Sequence, residues 1–148
     1  MANDKTEIWV TRPTLQDLNA LCENNLAQSL GIEFVEVGDD FLRARMPVDA
    51  RTVQVFGILH GGASASLAET LGSVAGAHCV EFDKKVVVGL ELNCNHVRSA
   101  REGFVYGTAN PIHLGGSTQI WDVRIVDERE RLVCIARLTV ALLNPKDE

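Results

Sequence analysis

Between Gly61 and His78, twelve of eighteen residues are Gly, Ala or Ser. Each glycine in an exposed helix costs about 1 kcal/mol relative to alanine, so a solvent-facing helix of this composition has little to stabilise it. A flexible Gly/Ser linker is the alternative. It fails because Leu67, Leu71 and Val74 keep helical spacing and Glu69 is the only acid in the segment. Small side chains let a backbone approach its neighbours closely. The pattern therefore predicts a central helix over residues 61–80, buried against a sheet that surrounds it.

The rest of the chain supplies that sheet. A polar lead over residues 1–13 precedes a first helix over 14–30, in which Leu15, Leu18, Leu21, Cys22 and Leu26 recur at helical spacing. Thr14 can cap it, Asp17 stands where a capping box places an acid, and Gly31 can end it. IEFVEV and FLRARMPV then read as two strands joined at Gly38-Asp39-Asp40. Leu42, Ala44, Met46 and Val48 give the second strand one dry face. After the central helix, KKVVVGLELNCNHV alternates Val86, Val88, Leu90, Leu92, Cys94 and His96 against Val87, Gly89, Glu91, Asn93, Asn95 and Val97. FVYGTA, QIWDVRIVD and RLVCIARLTVALL follow, the last two joined by a charged turn at Asp127–Glu130. Helix, two strands, long helix and four strands, with no βαβ repeat, predict a single α+β domain over 1–148 with an antiparallel sheet.

Composition narrows the function classes. At 46% hydrophobic and 23% charged, the chain is neither disordered nor fibrous. A formal charge of −6 argues against a nucleic-acid partner held by bulk positive field. No apolar run follows a basic start, and none reaches membrane-spanning length, so a cytoplasmic location without membrane contact is expected. Cys22, Cys79, Cys94 and Cys134 are scattered and read as free thiols. A zinc set of His78, Cys79, Cys94 and His96 lacks the usual spacing, and adjacent helical residues point about 100° apart. No metal and no cofactor are expected.

Glu69 is the most informative residue, an acid in an apolar helix expected to be buried. A buried carboxylate must find donors or hold its proton more tightly, and such groups gather at functional sites. Ser73 lies four residues on and Ser66 three residues back, on the same side. At the helix start, His60-Gly61-Gly62 offers unpaired N–H groups at the positive end of the helix dipole, open to a developing oxyanion because glycine has no side chain. A tight turn is the plainer reading of the two glycines. Arg98, Ser99 and Arg101 form a basic cluster suited to phosphate groups, or a solvated strand end. His113, Gly115, Gly116 and Ser117 form a second loop able to present backbone donors. GxSxG, P-loop, GxGxxG and HExxH motifs are absent.

FGILHGGASASLAETLGSVAG, VVGLELNCNHVRSAREG and HLGGSTQIWDVRIVDERERLVCIARLTVALL together resemble the hotdog-fold acyl-CoA thioesterases of the phenylacetate-pathway and Arthrobacter-type 4-hydroxybenzoyl-CoA group, from about Thr14 onward. The resemblance implies a curved antiparallel sheet around the central helix, dimers that share one continuous sheet, and a dimer of dimers. It implies that Glu69 is the catalytic nucleophile or general base and that the Gly61 N–H polarises the thioester carbonyl. Gln54 would position the thioester, His60 stand beside it, Ser73 orient the water and His96 line the acyl pocket. It also implies that Glu69 and the Gly61-Gly62 segment serving one site come from different subunits. One departure is Val55, where the group carries proline after the glutamine. The coenzyme A belongs to the substrate, so no cofactor is implied. A hotdog dehydratase lacks support because its proline-rich approach to the histidine is missing. A CoA-ester binding module would have no use for Glu69.

Overall fold

The computed structural model describes residues 7–146. Its elements are α1 (Leu15–Leu21), α2 (Leu26–Leu30), β1 (Glu33–Val37), β2 (Leu42–Pro47), α3 (Gly61–His78), β3 (Val86–His96), β4 (Phe104–Leu114), β5 (Thr118–Asp127) and β6 (Leu132–Leu143). All six strands form one antiparallel sheet in the order β1-β2-β4-β5-β6-β3. Helix α3 packs against every strand from β2 to β6. This is the α+β arrangement that the element order predicts.

The small residues of α3 have the task that their composition implies. A Cβ on Gly72 would lie 2.6 Å from Leu138 Cδ2, and one on Gly76 would lie 2.5 Å from Gln119 Oε1. The helix therefore seats directly on β5 and β6. Leu67 and Leu71 are fully buried and contribute about 1.5–3 kcal/mol each. At the C-terminal end, Gln119 donates to the Gly76 carbonyl and accepts from Trp121, so its buried amide is satisfied and an end carbonyl of the helix is paired.

Three expectations need correction. The first helix over 14–30 is two helices, because Asn24 adopts φ 59° and Asn25 caps a new start with its side chain on the Ala27 N–H. Thr14 does cap α1 by accepting from the Asp17 N–H, and Gly31 ends α2 at φ 71°. Of the helically spaced leucines only Leu18 is buried, while Leu15, Leu21 and Leu26 are exposed. Residues 1–6 of the polar lead lie outside the described residues. Its remainder is packed: Trp9 is buried and donates to the Gly38 carbonyl, and the Val10 N–H donates to His78 O. The central helix stops at His78 instead of continuing to 80, with Cys79 as its C-cap.

The third correction concerns β3. A bulge between Gly89 and Glu91 leaves Leu90 as the extra residue. It inverts the alternation, so Val87 and Gly89 share the helix-facing side with Leu92, Cys94 and His96. Val87, Leu92 and Cys94 pack on the core, whereas Val88 and Leu90 are exposed. β3 is also an edge strand, open along its eleven residues. Among the described residues no helix is long and apolar enough to cross a membrane.

The close seat of α3 is directly testable. Gly72→Val should cost about 1–3 kcal/mol by overpacking against Leu138, seen as a lower urea midpoint with an unchanged m-value. An unchanged midpoint would show that the helix stands off the sheet.

Candidate active site

The loop before α3 is tied down by its own hydrogen bonds. Val53 bridges Leu59, the His60 N–H donates to Thr52 O, and the Leu59 N–H donates to Ala100 O. Hydrogen bonds from the Arg51 side chain, then its backbone, hold the Asp49 carboxyl down at about 2. Gln54 Oε1 accepts from the Phe56 N–H. This bond orients the side chain and leaves the amide NH2 able to donate to a ligand.

At the start of α3, His60 is the N-cap and its Nδ1 accepts from the Gly62 N–H at 2.7 Å. The Ala63 and Ser64 N–H groups donate to His60 O. These contacts leave the Gly61 N–H outside the cap, at the positive end of an 18-residue helix. His96 Nε2 would lie 2.9 Å from a Cβ on Gly61, so the imidazole closes one side of this terminus. His60 thus has a structural task that the sequence leaves open. It fixes the turn that presents Gly61.

Gly62, Ser66, Glu69 and Ser73 recur at intervals of four, three and four, and form one stripe on the side of α3 away from Leu67, Ala68, Leu71 and Ala75. Ser66 donates to Gly62 O. Glu69 is exposed in the single subunit, not buried as the sequence predicts. Its apolar helix is buried on the other face, and the acid looks past the open edge of the sheet. A Cβ on Gly89 would lie 2.7 Å from Glu69 Oε1, so the carboxylate rests on bare β3 backbone. The eight-residue step from Gly61 to Glu69 separates them by about 12 Å along the helix axis. Gly89 and His96, which flank the two groups, are seven strand residues and roughly 20 Å apart. Within one chain, then, no single reacting atom lies within about 3 Å of both groups.

Gln54, Gly61, His96, Arg98 and Ser99 line one cleft of about 430 Å³, closed by Ile58, Leu59, Ser64, Val97 and Val133. A neighbouring cleft of about 470 Å³ shares Arg98 and Ser99 and adds Arg101, Arg129 and Arg131. Arg131 is held by Asp127, whose carboxyl is opposed by burial but kept low by the Arg131 and Arg129 hydrogen bonds. Among the described residues Arg98, Arg101 and Arg129 make no ion pair. Arg129 was hidden in what reads as a charged turn, and the apolar wall carries no sequence signal. His113, Gly115, Gly116 and Ser117 are not brought to this cleft. They form the β4–β5 hairpin beside Gln119, at the opposite end of α3 from Gly61. The zinc set also separates, since His78 and Cys79 close the far end of α3 while Cys94 and His96 lie toward its start.

Comparison with known proteins gives a consistent picture. Residues 56–134 match the thioesterase superfamily. The 1,4-dihydroxy-2-naphthoyl-CoA hydrolase of Escherichia coli is 57% identical over 136 residues, covering 92% of this chain and 99% of that protein. The proofreading thioesterase EntH of Cronobacter turicensis is 48% identical, covering 92% and 98%. The crystal structure of a thioesterase from Haemophilus influenzae superposes with a TM-score of 0.89 at 48% identity, covering 93% and 95%.

All four cysteines are free thiols. Burial pushes Cys79 and Cys134 up to about 12 and raises Cys22 and Cys94. At pH 8 a thiol at 12 is ionised to about 1 part in 10⁴, against roughly a quarter for an unperturbed thiol. Cys79 and Cys134 in the folded protein should therefore react with a thiol-directed dye at least about 100-fold more slowly than in the unfolded chain. Equal rates would contradict the burial.

Proposed function

The chain belongs to the thioesterase superfamily, and on that premise we propose that it hydrolyses an aryl- or acyl-CoA thioester to the free acid and CoA. The aromatic acyl class, 1,4-dihydroxy-2-naphthoyl-CoA or a similar ester, follows the Escherichia coli relative. The observation that carries this reading is the cleft that joins Gln54, Gly61 and His96 to Arg98 and Ser99, and runs on to Arg101 and Arg129. Its order suits a thioester at one end and nucleotide phosphates at the other.

In this mechanism the thioester carbonyl oxygen accepts from the Gly61 N–H, where the α3 dipole stabilises the charge that develops. The Gln54 amide donates to the same ester, and His96 walls the acyl group. Glu69 attacks the carbonyl carbon directly, or takes a proton from a water oriented by Ser73 that attacks instead. The C–S bond breaks, and the sulfur leaves as CoA thiolate and is protonated. On the direct route water then cleaves the acyl–Glu69 anhydride at the Glu69 carbonyl, so a Glu69 oxygen leaves with the acid and a water oxygen replaces it. On the second route water itself supplies the oxygen of the acid.

The 12 Å separation of Glu69 from Gly61 along α3 supports a site built by two subunits. Antiparallel pairing of two β3 edges about a two-fold axis sets the Gly89 end of one strand against the His96 end of the other. Glu69 of one copy then approaches Gly61 of its partner. The exposed Val88 and Leu90 and the open edge favour that pairing. The His113–Ser117 hairpin can serve the same site only from another copy. A dimer of dimers is the assembly in keeping with the family, and the cytoplasm suits four free thiols.

Pure protein should release free thiol from aryl-CoA esters, and Glu69→Gln should lower kcat by about 10³-fold or more. No release from any aryl-CoA, fatty acyl-CoA or carrier-loaded ester would overturn the reading. Single turnover in ¹⁸O-water separates the two routes, since only the nucleophile leaves label in Glu69. Gly89→Ala should displace the carboxylate and lower kcat roughly 10-fold, with little change in KM or stability. Arg101→Ala should raise KM for CoA esters about 10-fold and spare carrier-loaded esters, which lack the nucleotide phosphates. Equal effects on both would remove the arginines from the CoA site.

A further inference from the structure

Beside the cleft, the bulge in β3 and the register of β3 with β6 assemble a donor set of which the hydrolytic chemistry uses only His96. Cys94 and His96 stand two residues apart on the helix-facing side, and Cys134 on β6 is the cross-strand partner of His96. One ligand atom from each of the three lies within 4.8 Å of the other two. Such atoms all lie within about 2.8 Å of a common point, against bonds of about 2.3 Å to a thiolate and 2.0–2.1 Å to an imidazole, so side-chain adjustments of under about 1 Å complete the contacts. Cys134 is fully buried, Cys94 half-buried and His96 exposed, which gives a dry floor with an open mouth.

We propose that Cys94, His96 and Cys134 bind a thiophilic divalent cation of the Zn²⁺ type, and that its binding inhibits hydrolysis. Two sulfur donors and one imidazole select zinc-like ions over Mg²⁺ or Ca²⁺, which take oxygen ligands. Two thiolates neutralise a dication, so the complex places no net charge on the buried floor. This neutrality matters because the positive end of α3 lies alongside and repels an uncompensated cation. Inhibition follows from the shared residue. His96 cannot wall the acyl cleft beside Gly61 while its imidazole is drawn to a metal. Three protein donors leave a fourth tetrahedral position for water.

The inhibition rests on the proposed thioesterase activity, whereas the binding does not. Metal-free protein in a non-thiol reductant is titrated with Co²⁺, read by its thiolate-to-cobalt charge-transfer absorption, then with Zn²⁺ in competition. One Co²⁺ per chain is expected, displaced by Zn²⁺. Cys94→Ala should abolish the band and weaken Zn²⁺ by at least 100-fold, and Cys79→Ala should change neither. Cys134→Ala should behave like Cys94→Ala; should it fail to fold, Cys94→Ala carries the test. A missing band in the parent protein, a band that survives Cys94→Ala, or one lost in Cys79→Ala overturns the site. Saturating Zn²⁺ should lower hydrolysis of an aryl-CoA at least 10-fold in the parent and leave Cys94→Ala unaffected. Equal inhibition of both overturns the inhibitory role. A cobalt band in protein that cleaves no CoA ester would sink the activity and leave the site standing.

Discussion

The contact of Gly72 and Gly76 with Leu138 and Gln119 is the constraint on which the other features hang. Because α3 has almost no side chains on that face, it sits on β5 and β6 at backbone distance, and the sheet can close around it from β2 to β3. The two faces of the helix then differ sharply. One is sealed by the core. The other carries Gly62, Ser66, Glu69 and Ser73 and looks out over the edge strand β3, where Gly89 leaves room for a carboxylate. A larger residue at Gly72 would lift the helix and move that carboxylate relative to β3, so packing and chemistry are linked through one element.

Rigidity of the same helix is also what supports a site shared between two copies in the proposed mechanism. A rise of about 1.5 Å per residue fixes Gly61 and Glu69 at a separation that no rotamer closes to reacting distance. The long open edge beside Glu69 is the natural place for a second copy, since the outer edge of an eleven-residue strand leaves backbone groups free to pair. Assembly in this account is part of the catalytic geometry. The arginines at 98, 101 and 129 are the local exception to an acidic protein, and they lie where the cleft beginning at Gly61 comes out.

Much of this was legible in the chain. The Gly/Ala/Ser segment gave the helix, and the period-two pattern of Leu42, Ala44 and Met46 gave β2 its buried face. The His60-Gly61-Gly62 start and the Thr14 cap depend on local chemistry, which sequence carries well. The exposure of Glu69 was also within reach. Steps of four, three and four through Gly62, Ser66, Glu69 and Ser73 mark one face, opposite the leucines. Asn24-Asn25 likewise held the break between α1 and α2. The bulge at Leu90 left no trace, because it depends on how β3 meets β6 and not on any local preference. It decides which residues of β3 face inward, and so it also hid the meeting of Cys94, His96 and Cys134, which come from two strands joined only by register.

In the proposed mechanism one active site draws Glu69 from one subunit and Gly61 from another. The most direct test of this mixes two inactive variants, Glu69→Gln and Gly61→Val, through reversible dissociation and measures hydrolysis of an aryl-CoA. Each mixed dimer then holds one site with both groups intact and one with neither, so activity should return to roughly a quarter of the parent value. Continued inactivity, with mixed dimers shown to have formed, would place both groups of each site in the same subunit and contradict the account.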